Sequence, residues 1–108
     1  MIQVTGITTT TNNNVLSSSD LASAPGAGVV LLWVASTAND TRITFAAPPK
    51  VASRNITPFI RTNGVPLVSD DSPVAVAVVG GEQIVLQVTI VTAGTCGYSV
   101  KFIPQAEL

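Results

Sequence analysis

The chain has 108 residues, which is enough for one domain and too short for a second hydrophobic core. Hydrophobic residues make up 46% of it and charged residues only 10%, against roughly 25% charged in an average soluble domain. The net charge is −1 and the basic residues are scattered along the chain. Binding to nucleic acids or to acidic membranes requires clustered Lys and Arg, so the composition argues against both. So few charges predict that part of the surface is covered by a partner or by further copies of the chain.

Residues 1–19 are predicted to form an extended N-terminal arm, and residues 20–108 the folded domain. Polar runs of poor helix formers fill the arm, with a short strand expected around its first residues. Regularly recurring apolar residues favour an arm that lies along another surface over a disordered one. These predicted partner contacts are Ile2, Val4, Ile7, Val15 and Leu16. No secretory signal is recognisable, so we expect a protein that works where it is made.

Within Gly28–Ser36, Val29–Ala35 is a continuous apolar run rather than an alternating one, which predicts a strand that is covered on both faces. Only one face of a strand meets the core when two sheets pack together. The other face is therefore expected to meet a loop, the arm or a neighbouring subunit, and Val29, Leu31 and Trp33 are the predicted subunit contacts. The run is too short to cross a bilayer.

Two further strands are predicted on either side of the proline-rich linker Ala46–Lys50. Thr41–Phe45 alternates before the linker, and Asn55–Thr62 follows it. Pro58 interrupts the second strand and confines it to a sheet edge or a bulge, because proline cannot donate to a ladder of hydrogen bonds.

Asn63-Gly64 is a two-residue hairpin signal, so Val65–Val68 is predicted to pair back on the preceding strand. Ser69–Pro73 is predicted to be a solvated acidic loop. Val74–Val79 alternates large and small side chains and predicts another strand.

The clearest alternation lies in Gln83–Ile103, where two runs flank the turn-forming segment Thr92–Thr95. We interpret it as a hairpin with one apolar face. The predicted inward residues are Ile84, Leu86, Val88 and Ile90 in the first run, and Cys96, Tyr98, Val100 and Phe102 in the second. The fold class that follows is all-β, a β-sandwich or jelly-roll-like arrangement of seven to eight short antiparallel strands.

No stretch carries a motif for catalysis, and we predict a protein that is not an enzyme and has no cofactor. The chain has no His and a single Cys96, which leaves too few ligands for a transition-metal site and predicts a buried thiol. Asp70 and Asp71 are the only adjacent carboxylates, and we expect both to be solvated, with a weak calcium or magnesium contact as the alternative. Trp33 and Tyr98 are expected in the core or an interface.

In this combination the chain resembles the small decoration, or cement, proteins on the heads of tailed bacteriophages. The features that carry the resemblance are the Met1–Ser19 arm and the short strands between Gly28 and Ile103. The resemblance implies a structural virion protein made in the host cytoplasm. It also implies a homo-oligomer, commonly a trimer, that binds the major capsid protein across neighbouring subunits on the capsid surface.

An adhesion, receptor-binding or carbohydrate-binding module is the alternative function. The polar loops Ser36–Asp40 and Ser69–Pro73 could form its recognition surface. Exposed aromatic side chains would discriminate in its favour, because sugar rings stack on them.

Overall fold

A computed structural model of the chain describes residues 2–47, 51–69 and 71–108. These residues form eight strands, one short 3-10 helix and no α-helix. The strands are β1 (Ile2–Thr8), β2 (Gly28–Ser36), β3 (Arg42–Ala47), β4 (Val51–Ile56), β5 (Phe59–Ile60), β6 (Val74–Val78), β7 (Val85–Thr89) and β8 (Cys96–Pro104), and the 3-10 helix is Gln105–Glu107. No helix in the described ranges is long and apolar enough to cross a membrane.

The eight strands form two sheets. The first has five strands in the order β1-β8-β2-β5, with β6 paired to β2 beside β5. The second has the order β4-β3-β7 and is antiparallel throughout. The all-β prediction and the strand number are confirmed, but the expectation of antiparallel strands alone is wrong, because β5 runs parallel to β2 at Ala35 and Ser36.

The predicted hairpin over Gln83–Ile103 is wrong. Its first strand, β7, pairs with β3, whereas β8 pairs with β1 and β2, so the segment Thr92–Thr95 carries the chain from one sheet to the other. That segment is fixed to Thr37, whose N–H donates to the Thr95 carbonyl and whose hydroxyl accepts from the Thr95 N–H, each at 3.0 Å. Alternation predicts which face of a strand is buried, but it does not predict which other strand that strand pairs with.

The predicted inward faces are nevertheless correct. Each sheet turns the buried residues of its strands toward one shared hydrophobic cluster. The second sheet contributes Ile43, Phe45, Leu86 and Val88, and the first contributes Val30, Leu32, Val34, Val100 and Phe102. Each such side chain stabilises the fold by about 1.5 to 3 kcal/mol.

Asn63 and Gly64 form a turn, as predicted, but Val65–Val68 is not a strand. The Gly64 N–H donates to the Arg61 carbonyl at 3.1 Å, and the Asn63 side chain accepts from the Val65 N–H at 3.1 Å. Since Pro66 has no N–H to donate, the returning segment is a poor ladder partner. It crosses the face of the first sheet instead.

The first residues of the chain add a strand to the first sheet. β1 pairs with β8 along its whole length, from Ile2 opposite Phe102 to Thr8 opposite Cys96. The expectation of a short strand here is confirmed, and the surface along which it lies is part of the same chain.

Residues 11–16 lie along the edge of β7. The Asn12 N–H donates to the Val88 carbonyl at 2.9 Å, and the Asn14 side chain accepts from the Leu86 N–H and donates to the Ile84 carbonyl at 3.1 and 3.2 Å. The amide of Asn14 thus replaces a backbone partner for β7.

Candidate interaction surface

The candidate site lies on the outer face of the five-stranded sheet, the face turned away from the shared core. Strand β2 presents Val29, Leu31, Trp33 and Ala35 to this face, since its alternate residues Val30, Leu32 and Val34 face the core. The two halves of this strand have different surroundings: Val29 and Leu31 are half-buried, whereas Trp33 and Ala35 are buried.

Residues 61–69 and 71–73 form a loop, called the covering loop below, that lies over the C-terminal half of β2. The Trp33 indole N–H donates to the Asp71 carbonyl at 2.9 Å. The loop approaches the sheet closely at Gly97: a Cβ on this residue would overlap the Gly64 carbonyl oxygen and lie 3.0 Å from the Val65 Cα. Of the three expected covers for the second face of β2, a loop of the same chain is therefore the one found.

The covering loop is held by an ion pair between Arg61 and Asp71. The Asp71 carboxylate also accepts from the Leu67 N–H at 2.9 Å, and the Arg61 N–H donates to the Ser36 carbonyl at 3.0 Å. The prediction of a solvated carboxylate is wrong for Asp71, which is 9% exposed, because Arg61 neutralises it where the loop folds back. Asp70 lies outside the described residues.

Five of the nine exposed large hydrophobic side chains in the described ranges belong to this loop or to the outer face of the strands beside it. They are Ile7, Phe59, Val65, Leu67 and Val68, and together they are called the apolar patch below. Ile7, Val65 and Val68 line one groove of about 290 Å³, which Pro66 and Tyr98 complete.

The sheet register explains why the apolar patch has this shape. Phe59, Ala35, Gly97 and Ile7 occupy one row across four strands, with the two small residues in the middle. The small residues leave a trough that the loop backbone fills. The larger side chains at either end of the row, Phe59 and Ile7, stay exposed on either side of the loop.

The predicted contact residues are distributed unevenly over this surface. Ile7 is 57% exposed and belongs to the apolar patch, while Val29 and Leu31 lie on the same face beyond the covering loop. Ile2, Val4 and Val15 pack at the margin of the core and are half-buried.

Leu16 and Trp33, two further predicted contacts, are buried within the chain itself. Leu16 has no exposed surface and Trp33 is 5% exposed, because the chain's own core and covering loop surround them. Their apolar character is accounted for within one subunit.

Sequence reasoning missed four members of the apolar patch: Phe59, Val65, Leu67 and Val68. A signal was present in the sequence, since Pro66 between apolar neighbours argues against a paired strand and leaves apolar side chains without a sheet to cover them. The hairpin signal at Asn63-Gly64 instead favoured the prediction that Val65–Val68 is a paired strand.

The single thiol lies beneath this face. Cys96 is fully buried on the core side of β8, and burial raises its pKa to about 11. Burial, together with the nearby Cys96, also raises the pKa of Tyr98. Within the described ranges, no three His, Cys, Asp or Glu side chains are grouped so that they could hold a metal ion.

A second concave region lies at the end of the three-stranded sheet. It is a cleft of about 420 Å³ whose lining is mostly polar. The lining residues are Asn39, Thr41, Arg42, Ile43, Asn55, Ile56, Thr57 and Pro58.

Comparison with known proteins identifies no relative: no family model, curated protein or solved structure matches this chain. The function of the chain therefore has to be inferred from its surface.

Proposed function

We propose that the chain is a structural assembly protein that associates with further copies of itself and with a capsid through the apolar patch. The observation that carries the proposal is the grouping of five exposed large hydrophobic side chains in and beside one loop on one face. Small soluble proteins rarely expose contiguous apolar surface of this kind unless a partner covers it.

The strength expected of this contact suits a repetitive assembly. Burying the exposed part of each patch side chain contributes roughly 1 kcal/mol, so the five together contribute several kcal/mol. Association costs about 4 to 15 kcal/mol in lost freedom of motion. One such contact is therefore weak, and several made at once by a multimeric partner are strong.

The Arg61–Asp71 pair supports the same proposal because it holds the covering loop in shape before any partner arrives. A preformed surface loses less conformational entropy on binding. The guanidinium group of Arg61 also lies 6.0 Å from the centre of the Phe59 ring, which links the ion pair of the covering loop to one end of the apolar patch.

The setting we propose is the surface of a phage head. In this proposal the two sheets and their single shared core form a β-sandwich of the jelly-roll kind. The molecule decorates the capsid as a homo-oligomer that contacts the major capsid protein. The low charge content and the apolar patch support this setting, and the resemblance to decoration proteins supplies the trimer as the expected oligomer.

A pelleting assay tests the proposal. Phage heads lacking this gene product are mixed with the purified chain and sedimented, and we expect the wild-type chain to pellet with them. Val68→Asp places a charge in the apolar patch and is expected to reduce the bound fraction at least tenfold, whereas Ser53→Asp, on an exposed position of β4, is not. Equal pelleting of the two variants would remove the apolar patch from the function.

The polar cleft favours one alternative, a module that binds a receptor or carbohydrate. Its amide, hydroxyl and guanidinium groups could bond to sugar hydroxyls, but no aromatic side chain lines it. Saturable binding to a glycan array that Asn55→Ala abolishes would favour this alternative over assembly.

A further inference from the structure

The free edge of β1 differs from the other sheet edges in the described part of the chain. Protein sheets protect their edges with charges, prolines, bulges, short strands or covering segments. Each other edge shows such a device. Residues 12–15 cover β7, β4 carries Arg54 and pairs with β3 across a register shift, β5 has two residues and follows Pro58, and β6 has five residues and follows Pro73.

β1 has none of these devices. It is seven residues long, contains neither charge nor proline, and pairs with β8 without a register shift. It is the last strand of its sheet, so the backbone groups along its other side face away from every described strand. Its outward side chains, Gln3, Thr5 and Ile7, are exposed.

We propose that this edge pairs with the same edge of a second copy of the chain. The two β1 strands run antiparallel about a two-fold axis through Thr5 and join two five-stranded sheets into one. The occupant of such an edge must be an extended, uncharged segment with unpaired backbone groups of its own. β1 meets each requirement, and a single contact satisfies both edges.

The two-fold axis at Thr5 is selected by the strand's own pattern. Directly opposed residues of an antiparallel pair project to the same side of the sheet, so exposed residues must face exposed residues. An axis through Thr5 pairs Thr5 with Thr5 and Gln3 with Ile7, and it uses all seven residues. Axes through Val4 or Gly6 also match the faces but leave residues unpaired.

Side-chain space and charge are compatible with this register. Val4 would face Gly6, where a Cβ would lie 2.7 Å from the Tyr98 ring, so the absence of a side chain there leaves room for both Tyr98 and the partner's Val4. Lys101, opposite Gln3 in β8, is the nearest charge in the register. The strand spacings put the two copies of Lys101 about 20 Å apart, beyond the Debye length of about 8 Å at physiological salt.

The inference stands apart from the proposed function. A two-fold contact closes with two copies, so it differs from the three-fold contact of a trimer, and it does not use the covering loop, although it shares Ile7 with the apolar patch. It holds whether or not the protein decorates a capsid.

Cysteine cross-linking tests the register. Thr5→Cys places two thiols opposite each other within disulfide range, since opposed residues have Cα atoms about 4.5 to 5.5 Å apart. Under mild oxidation we expect at least tenfold more disulfide-linked dimer from Thr5→Cys than from Gln3→Cys or from Ser53→Cys on β4. Cys96 does not compete because it is fully buried. Equal yields from the three variants would overturn the proposal.

A charge exchange provides the second readout. In the Val68→Asp background, which weakens contacts through the apolar patch, sedimentation equilibrium should find a dimer. Adding Thr5→Lys or Thr5→Glu sets like charges against each other and should give monomers, while mixing these two variants should restore the dimer. A mass that does not respond to either charge, or a mixture that stays monomeric, would contradict β1 pairing.

Discussion

The outer faces of the two sheets differ in the side chains that they present. The three-stranded sheet turns mostly polar residues outward: Arg42 faces Thr89, and Thr44 lies between Gln87 and Asn55, with Ala46 and Val85 as the small apolar exceptions. The five-stranded sheet carries the covering loop and the apolar patch. The surplus of apolar residues in the composition is therefore concentrated on one side of the molecule.

One loop is responsible for the apolar character of the outer face of the five-stranded sheet. It buries Trp33 and Ala35, and it exposes Val65, Leu67 and Val68 in their place. The outer surface here is therefore formed by a loop rather than by the sheet. The shape of that loop depends on the Arg61–Asp71 ion pair and on the close contact at Gly97. The predictions below act on that loop, on the strand beneath it and on the opposite face.

The largest effect is expected at the glycine contact. Gly97→Ala places a methyl group against the backbone of Gly64 and Val65, which cannot move aside without lifting the loop. We expect the free energy of unfolding to fall by about 3 kcal/mol, the upper end for overpacking. Urea unfolding measures it, with the chain's single tryptophan, Trp33, as the probe. A change below about 0.5 kcal/mol would mean that the loop is not held against the sheet.

Removing the ion pair is expected to have the next largest effect. Asp71→Ala leaves Arg61 without its partner and the Leu67 N–H without its acceptor. Breaking a buried pair costs about 3 to 5 kcal/mol. Since the Arg61 side chain is 33% exposed, we expect about 2 to 3 kcal/mol after solvent screening is taken into account. Trp33 emission should shift to the red as the loop opens, and an unshifted spectrum would contradict the role of Asp71.

A pH effect is expected at the thiol beneath the loop. Burial raises the pKa of Cys96 from 9.0 to about 11, so the folded state holds the thiol proton more tightly than the unfolded state. This contribution to stability is full below pH 9 and is lost between pH 9 and 11. At about pH 10.5 the loss is roughly 2 kcal/mol. The difference in stability between wild type and Cys96→Ala, followed by urea unfolding at several pH values, isolates it; a difference independent of pH would show that the thiol is not buried.

The smallest effect is expected on the polar face. Gln87→Ala changes a half-buried side chain that takes no part in the covering loop or the apolar patch, so stability should change by about 0.5 kcal/mol or less. Trp33 emission should also keep its wavelength. A red shift in this variant would mean that the two outer faces are coupled through the core.

The parts of the fold that depend on local pattern could be predicted from the sequence. Alternation correctly identified the buried faces of β7 and β8, and the continuous apolar run of β2 correctly indicated that both faces are covered over the C-terminal half of that strand. Strand pairing was missed, because it depends on packing between residues far apart in the chain and on how the connections close. Thr92–Thr95 has the composition of a hairpin turn and nevertheless joins two sheets.

The candidate site was the least predictable part, for the same reason. The burial of Asp71 depends on Arg61, ten residues earlier, and on the position of Trp33 in another strand. The exposure of Val65 and Val68 depends on the trough formed by Ala35 and Gly97. Each of these relations exists only in three dimensions, although Pro66 indicated that the segment is not a paired strand.

The mass of the protein in solution decides whether the apolar patch drives assembly. Sedimentation equilibrium of the full chain compares wild type, Val68→Asp in the apolar patch and Ser53→Asp as the matched control. We expect wild type and Ser53→Asp to form an assembly larger than a dimer, and Val68→Asp to form nothing larger than the β1 dimer. A wild-type chain no larger than a dimer at high concentration, or a Val68→Asp variant with the wild-type mass, would contradict assembly through the apolar patch.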